Sequence, residues 1–169
     1  MRWLVLACGL LLLTSCGGGK AEPEATPTPD PDAYLAQKGI ITPLHQAIAG
    51  VAFRPFIPSR YIVETALLPP YNGGADTRQN DGIGFEYVYH NYAFALSQWP
   101  GAGMPGPRHI ATINDCDISA YDINGGVGGK QGALWTNGRI EYNLVAAATA
   151  PNKAVFAEAK RLVHMGACR

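Results

Sequence analysis

Apolar residues along the chain fall into short runs with two different spacings. Thr42-Pro43 reads as an N-cap and first helical residue, Leu44, Ala47, Ile48 and Val51 follow at helical spacing, and Gly50 ends or weakens that helix. Phe53-Arg54-Pro55-Phe56-Ile57-Pro58 is apolar but interrupted by proline, which predicts an ordered loop rather than a central strand. Tyr61 to Leu67 is rich in β-branched residues and predicts a strand. A turn-rich loop is expected from Pro69 to Asp81.

From Gly84 to His90 the pattern alternates, Phe85/Tyr87/Tyr89 against Glu86/Val88/His90, and Tyr92 to Gln98 continues as a second strand past a turn near Asn91. Pro100 to Pro107 predicts a mobile loop. Ile118 to Ile123 predicts a further strand, ending at Asn124-Gly125. Gly132–Trp135 and Arg139–Val145 flank Asn137-Gly138, a pair that suits a type I′ hairpin turn. The spacing of Val155, Phe156, Ala159, Leu162 and Val163 predicts a helix from Ala150-Pro151 to about Met165, with Glu158, Lys160 and Arg161 off its apolar face. A helix, several antiparallel strands and a helix make an α+β domain. The expected architecture is a curved antiparallel sheet with the C-terminal helix packed on one face and a short N-terminal helix.

The first 32 residues have a different character. Arg2 is followed by the apolar run Leu4–Leu13 and then by Thr14-Ser15, the three-part layout of a secretory signal. The run is too short to span a bilayer, which takes roughly 20 apolar residues. Leu13-Thr14-Ser15-Cys16 resembles the lipobox of bacterial lipoprotein precursors. The resemblance implies a thioether-linked diacylglyceryl group on Cys16 and cleavage before it, with the new amine usually acylated. The competing reading is an ordinary secretory signal with an incidental cysteine. Gly17-Gly18-Gly19 and the Pro-rich acidic stretch 21–33 bury nothing and predict a flexible stalk of some tens of ångströms, at about 3 Å per residue. Residues 1–15 are thus expected to be a signal peptide, 16–32 a lipidated cysteine and linker, and 33–169 one globular domain. The localisation expected is the extracytoplasmic side of the cell membrane or outer membrane, with the membrane as partner through the lipid.

Of the four cysteines, Cys8 would leave with the signal and Cys16 would carry lipid. Cys116 and Cys168 remain, and outside the cytoplasm they are expected to form a disulfide. The alternative is a two-cysteine metal or redox site, but no CxxC spacing is present and four good ligands are not evident.

Formal charge is zero, with 13 basic and 13 acidic residues and no basic stripe, which argues against nucleic acid as a partner. Several features together resemble a domain of unknown function found in Gram-positive extracytoplasmic proteins, often at the outer end of anti-sigma factors. They are Pro55-Phe56-Ile57-Pro58 ahead of a strand, an aromatic strand pair ending in Leu96-Ser97-Gln98, Tyr121 to Gly125 with Gly128-Gly129, and Leu134 to Leu144 before a closing helix. The resemblance implies a curved-sheet domain related in shape to envelope carriers and sensors, with no known catalytic residues. The chain departs from the anti-sigma layout, without its cytoplasmic sigma-binding region or transmembrane helix, which puts direct control of a sigma factor in doubt.

No candidate for chemistry survives a check of its spacing. Gly125 to Gln131 lacks the glycine and the Ser/Thr of a phosphate loop, at Asn124 and Gln131. His45, His90, His109 and His164 have no i, i+4 partner of a helix metal site. Asn114-Asp115-Cys116-Asp117 with Asp122 clusters oxygens but lacks the glycine and distal glutamate of a calcium loop. None of Ser15, Ser59, Ser97 and Ser119 stands in a nucleophile elbow. No metal, cofactor or enzymatic activity is expected.

The richest feature is aromatic: Tyr87, Tyr89, Tyr92, Phe94, Trp99 and Trp135. Two readings stay open. The residues are the packed core of one sheet face, or Tyr87, Tyr89, Phe94 and Trp135 line a concave face that binds a ligand. The function expected is a non-enzymatic sensing or protein-binding module of the envelope. The alternative is a carrier of a lipid or other hydrophobic ligand on that face.

Overall fold

The computed structural model describes residues 39–70, 81–101, 106–123 and 129–169. The expected signal peptide, Cys16, the linker and residues 124–128 of the glycine-rich turn lie outside the described residues, as does the middle of the Pro100–Pro107 loop. In chain order the elements are β1 (Ile40–Ile41), α1 (Leu44–Ala49), β2 (Ile62–Leu68), β3 (Gly82–Tyr89), β4 (Tyr92–Pro100), β5 (Arg108–Ile113), β6 (Cys116–Asp122), β7 (Gln131–Thr136), β8 (Ile140–Ala146) and α2 (Asn152–Leu162). A wide π turn, Val163–Ala167, continues from α2.

All eight strands form one curved antiparallel sheet that does not close, in the order β1-β2-β3-β4-β8-β7-β6-β5. It consists of two four-stranded meanders joined where β4 pairs with β8, with Leu96 opposite Leu144 and Ser97 opposite Asn143. The fold is α+β, as the apolar pattern predicts. β1 and β5 are not among the predicted strands. β1 has only two residues, and β5 is an edge strand with Arg108, His109 and Thr112 exposed, so neither buries enough apolar surface to leave a period in the sequence.

The turns sort by backbone chemistry. His90-Asn91 and Asn114-Asp115 both hold left-handed φ values, 46° and 66°, then 51° and 62°, which make the tight β3–β4 and β5–β6 hairpins. Asn137-Gly138 does make the β7–β8 hairpin, but not as a type I′ turn. Only Gly138 is left-handed, at φ 82°. Asn137 Oδ1 instead accepts hydrogen bonds from the amides of Arg139 (3.0 Å) and Ile140 (2.8 Å). At α1 the cap position is Pro43 rather than Thr42, whose hydroxyl donates to the Ile40 carbonyl.

Both helices lie on one face of the sheet. α2 covers the β5–β8 half, and its Val155, Ala159 and Leu162 pack into a core with Tyr87, Phe94, Leu96, Ile118, Trp135 and Leu144. α1 contributes Ala47 to a smaller cluster with Ile83 and Phe85. The opposite face buries Ala66, Leu68, Ala95, Trp99 and Val145. Strand alternation puts Ser97, Asn143 and Glu141 on that face too, in line with Trp99 and Val145. The Trp99 and Tyr121 rings lie against Gly82 and Gly132, where a Cβ would overlap them. Tyr121 Oη donates to Asn143 Oδ1 across 2.8 Å.

Candidate functional site

The aromatic residues singled out in the sequence separate into two places. Tyr87 and Phe94 face each other across β3 and β4, ring centroids 5.8 Å apart, and both are buried under α2. Trp135 lies elsewhere in the same core. It stacks on Tyr142 at 5.3 Å, and its indole N–H donates to the Ala167 carbonyl. Tyr87, Phe94 and Trp135 expose 0, 2 and 3 % of their surface, so close packing fills the space a ligand would need at these three positions.

One edge of this core remains open. A cleft of about 250 Å³ runs between the β3–β4 hairpin and α2, lined by Tyr89, His90, Tyr92, Phe94, Ala154, Ala157, Glu158 and Arg161. Ala154 and Ala157 stand one helical turn apart, and their short side chains leave the gap. Phe94 reaches the cleft as part of the core, whereas Tyr89 and Tyr92 are half-buried at its sides. The turn holds His90 with its ring edge-on to Tyr89, centroids 4.2 Å apart.

A polar triad closes one end of the cleft. Glu158 is 2 % exposed, and its carboxylate accepts from Tyr87 Oη (2.8 Å), Arg161 Nε (2.6 Å) and Arg161 Nη2 (2.5 Å). Arg161 Nη2 also donates to the Pro58 carbonyl, and the guanidinium sits 4.2 Å from the Tyr89 ring centroid. One arginine therefore ties α2 to β3 and to the Pro-flanked loop. The sequence pattern sets Glu158 outside the apolar face of the helix; the structure puts it inside. Its position, three residues after Val155 and four before Leu162, is on the buried stripe, and only its charge disguises that.

Burial and the Glu158 carboxylate beside it hold the Tyr87 phenol well above its ordinary value, and burial pushes Tyr142 up to about 12. The hydrogen bonds to Glu158 raise Arg161 further, so it stays a cation. A phenol raised in the folded state contributes stability that is fully present below the unfolded value of about 10. Above that pH the unfolded chain releases protons that the folded chain still holds. Stability is therefore expected to hold level up to about pH 10 and to fall through about 12. Urea midpoints measured from pH 8 to 12 should show this, and Tyr142→Phe should flatten the alkaline slope.

Cys116 and Cys168 are joined by a disulfide, with Cα atoms 6.1 Å apart. It fastens the end of the chain to the start of β6, and neither cysteine lines the cleft. Among the described residues no group of three or more His, Cys, Asp or Glu side chains is placed to hold a metal ion, and no helix is long and apolar enough to cross a membrane. No family model, curated protein or solved structure matches the chain.

Proposed function

We propose that this chain is a membrane-anchored extracytoplasmic lipoprotein whose domain is a non-enzymatic sensing or protein-binding module, with the cleft between the β3–β4 hairpin and α2 as its contact site. The observation that carries the binding reading is the cleft itself. There Tyr89, His90 and Tyr92 leave the packed core and border a space open to solvent. At about 250 Å³ it falls below the roughly 300–1,000 Å³ of drug-sized ligand pockets. It suits one large apolar or aromatic side chain of a protein partner. The Glu158–Arg161 pair is already satisfied internally, so the cleft offers mainly aromatic and methyl surface. The anchor rests on Leu13-Thr14-Ser15-Cys16 after an apolar core.

The carrier reading drew its ligand wall from Tyr87, Tyr89, Phe94 and Trp135. Tyr87 and Trp135 are filled core, and of the four only Tyr89 and the edge of Phe94 border the cleft.

A photo-crosslinking residue at Tyr92, introduced in the producing cells, tests the site. The expected result is a discrete protein adduct that disappears when Ala157→Trp fills the cleft. An adduct unchanged by Ala157→Trp, or a lipid retained in native mass spectrometry of the gently extracted protein, would count against the reading. Fatty-acid labelling that is lost in Cys16→Ser tests the anchor separately.

A further inference from the structure

Six of the eight large apolar side chains most exposed among the described residues belong to one stretch of the domain: Ile40, Ile41, Leu44, Ile57, Tyr61 and Val63. Tyr61 is 82 % and Val63 64 % exposed. The start of α1 and the first half of β2 bring part of this set together, around a groove of about 390 Å³ lined by Ile41 to Leu44 and Ile62 to Thr65. An apolar surface collected at one place on a small domain marks a contact.

The backbone argues against an added β-strand as the occupant. β1 pairs only with Ala66 and Leu67, which leaves the beginning of β2 at the sheet edge. That segment, however, carries a bulge between Ile62 and Glu64 that breaks the regular ladder a new strand would extend.

Charge points to a different occupant. The whole chain is neutral, but from Gly39 to Thr65 it carries Arg54, Arg60 and His45 against one acid, Glu64. Both arginines and the histidine are exposed, and Glu64 is half-buried. Apolar and aromatic side chains interspersed along this stretch with exposed cations match the interface of an anionic bilayer, where apolar groups enter the headgroup boundary and arginines meet phosphates. The position in the chain agrees. The patch begins at Ile40, and 22 residues separate Gly39 from Cys16.

We propose that the β1–α1–β2 edge is a membrane-docking surface that lays the domain against anionic lipid headgroups. This rests on the anchored reading only in that the anchor brings the domain to the bilayer. The groove and the cleft share no lining residue, and the patch meets the cleft where the Pro58 carbonyl, next to Ile57, accepts from Arg161.

The test uses the full chain, purified in detergent and reconstituted with phosphatidylcholine vesicles, with and without phosphatidylglycerol. Hydrogen exchange is read over 40–45 and 57–65, against α2 as internal control. The expected result is slower exchange of those two segments in the anionic vesicles alone, reversed in 1 M salt. Arg54→Glu/Arg60→Glu, both at exposed positions, should weaken docking by at least roughly thirtyfold and return the two segments to their solution rates. Tyr61→Ser/Val63→Ser should do so in part without lowering the melting temperature. Equal exchange in both vesicle types overturns the proposal. So does concentration-dependent protection without vesicles, which would identify a second copy as the occupant. Flotation with neutral vesicles reads the anchor alone. Flotation without patch protection leaves the anchor standing and removes the docking. Protection in anionic vesicles without flotation in neutral ones does the reverse.

Discussion

Removing the Cys116–Cys168 disulfide should cost about 4 kcal/mol, since it closes a loop of 52 residues in the unfolded chain. Folded domains are stable by only about 5–15 kcal/mol, so this is a large share. For a domain of this size it corresponds to a fall in melting temperature of roughly 10–15 °C. The native contacts around the bridge set how the loss is distributed. The π turn after α2 brings Ala167 to the Trp135 indole and Arg169 to Asn137. Gly166, at φ 115°, makes that turn possible where a side chain would be strained. Without the bridge the last residues keep those two hydrogen bonds and the core packing of Ala167, which are small against the entropy of a freed terminus. Cys116→Ala/Cys168→Ala is therefore expected to shift the urea midpoint down and to open the C-terminal turn first. The early sign would be a change in Trp135 environment, with α2 still protected in hydrogen exchange. A loss below about 1 kcal/mol would mean that the unfolded chain already keeps these segments close.

Much of the secondary structure was legible because it obeys one period at a time. Alternation through Phe85, Tyr87 and Tyr89 marks β3, and the stripe Val155–Ala159–Leu162 marks α2. What could not be read depends on long-range placement. No local pattern says that β4 pairs with β8, 40 or more residues away, so the joining of the two meanders is invisible in the sequence. β5 escaped because its exposed edge carries Arg108 and His109 where a central strand would carry apolar residues. The cleft escaped for another reason. It is made by the small size of Ala154 and Ala157 beside the hairpin, and small residues on a helix carry no signal of what stands opposite them. Tyr89 and Phe94 were read as candidates and do border the cleft, while Tyr87 backs it through Glu158 and Trp135 belongs to the disulfide end. Aromatic content alone does not distinguish these roles. Glu158 was the least legible of all, since a charge on a helix normally implies solvent.

Glu158→Ala should be strongly destabilising for a substitution of a polar residue, costing about 2–4 kcal/mol. Breaking a fully buried ion pair costs about 3–5 kcal/mol, because the remaining partner is left desolvated. Here the Arg161 side chain is 24 % exposed and can turn toward water, which lowers the figure. The Tyr87 hydroxyl has no such escape; its residue is fully buried and donates to Glu158. Tyr87→Phe alone is expected to cost about 1–2 kcal/mol, the loss of one hydrogen bond to a charged acceptor. Adding it to Glu158→Ala should cost less than that, because the stranded hydroxyl disappears with it. A double-mutant cycle by urea denaturation measures this coupling, and strict additivity would show that Tyr87 and Glu158 do not act as a unit. The consequence for binding follows from Arg161, which is held by Glu158 and in turn packs over Tyr89. If the cleft binds a partner side chain, Glu158→Gln should spare most of the stability, since it keeps the volume and one acceptor. It should nonetheless reduce crosslinking from position 92, because a neutral amide holds the guanidinium less firmly over its ring. Weaker crosslinking with a nearly unchanged melting temperature would separate the shaping of the cleft from its contribution to the core.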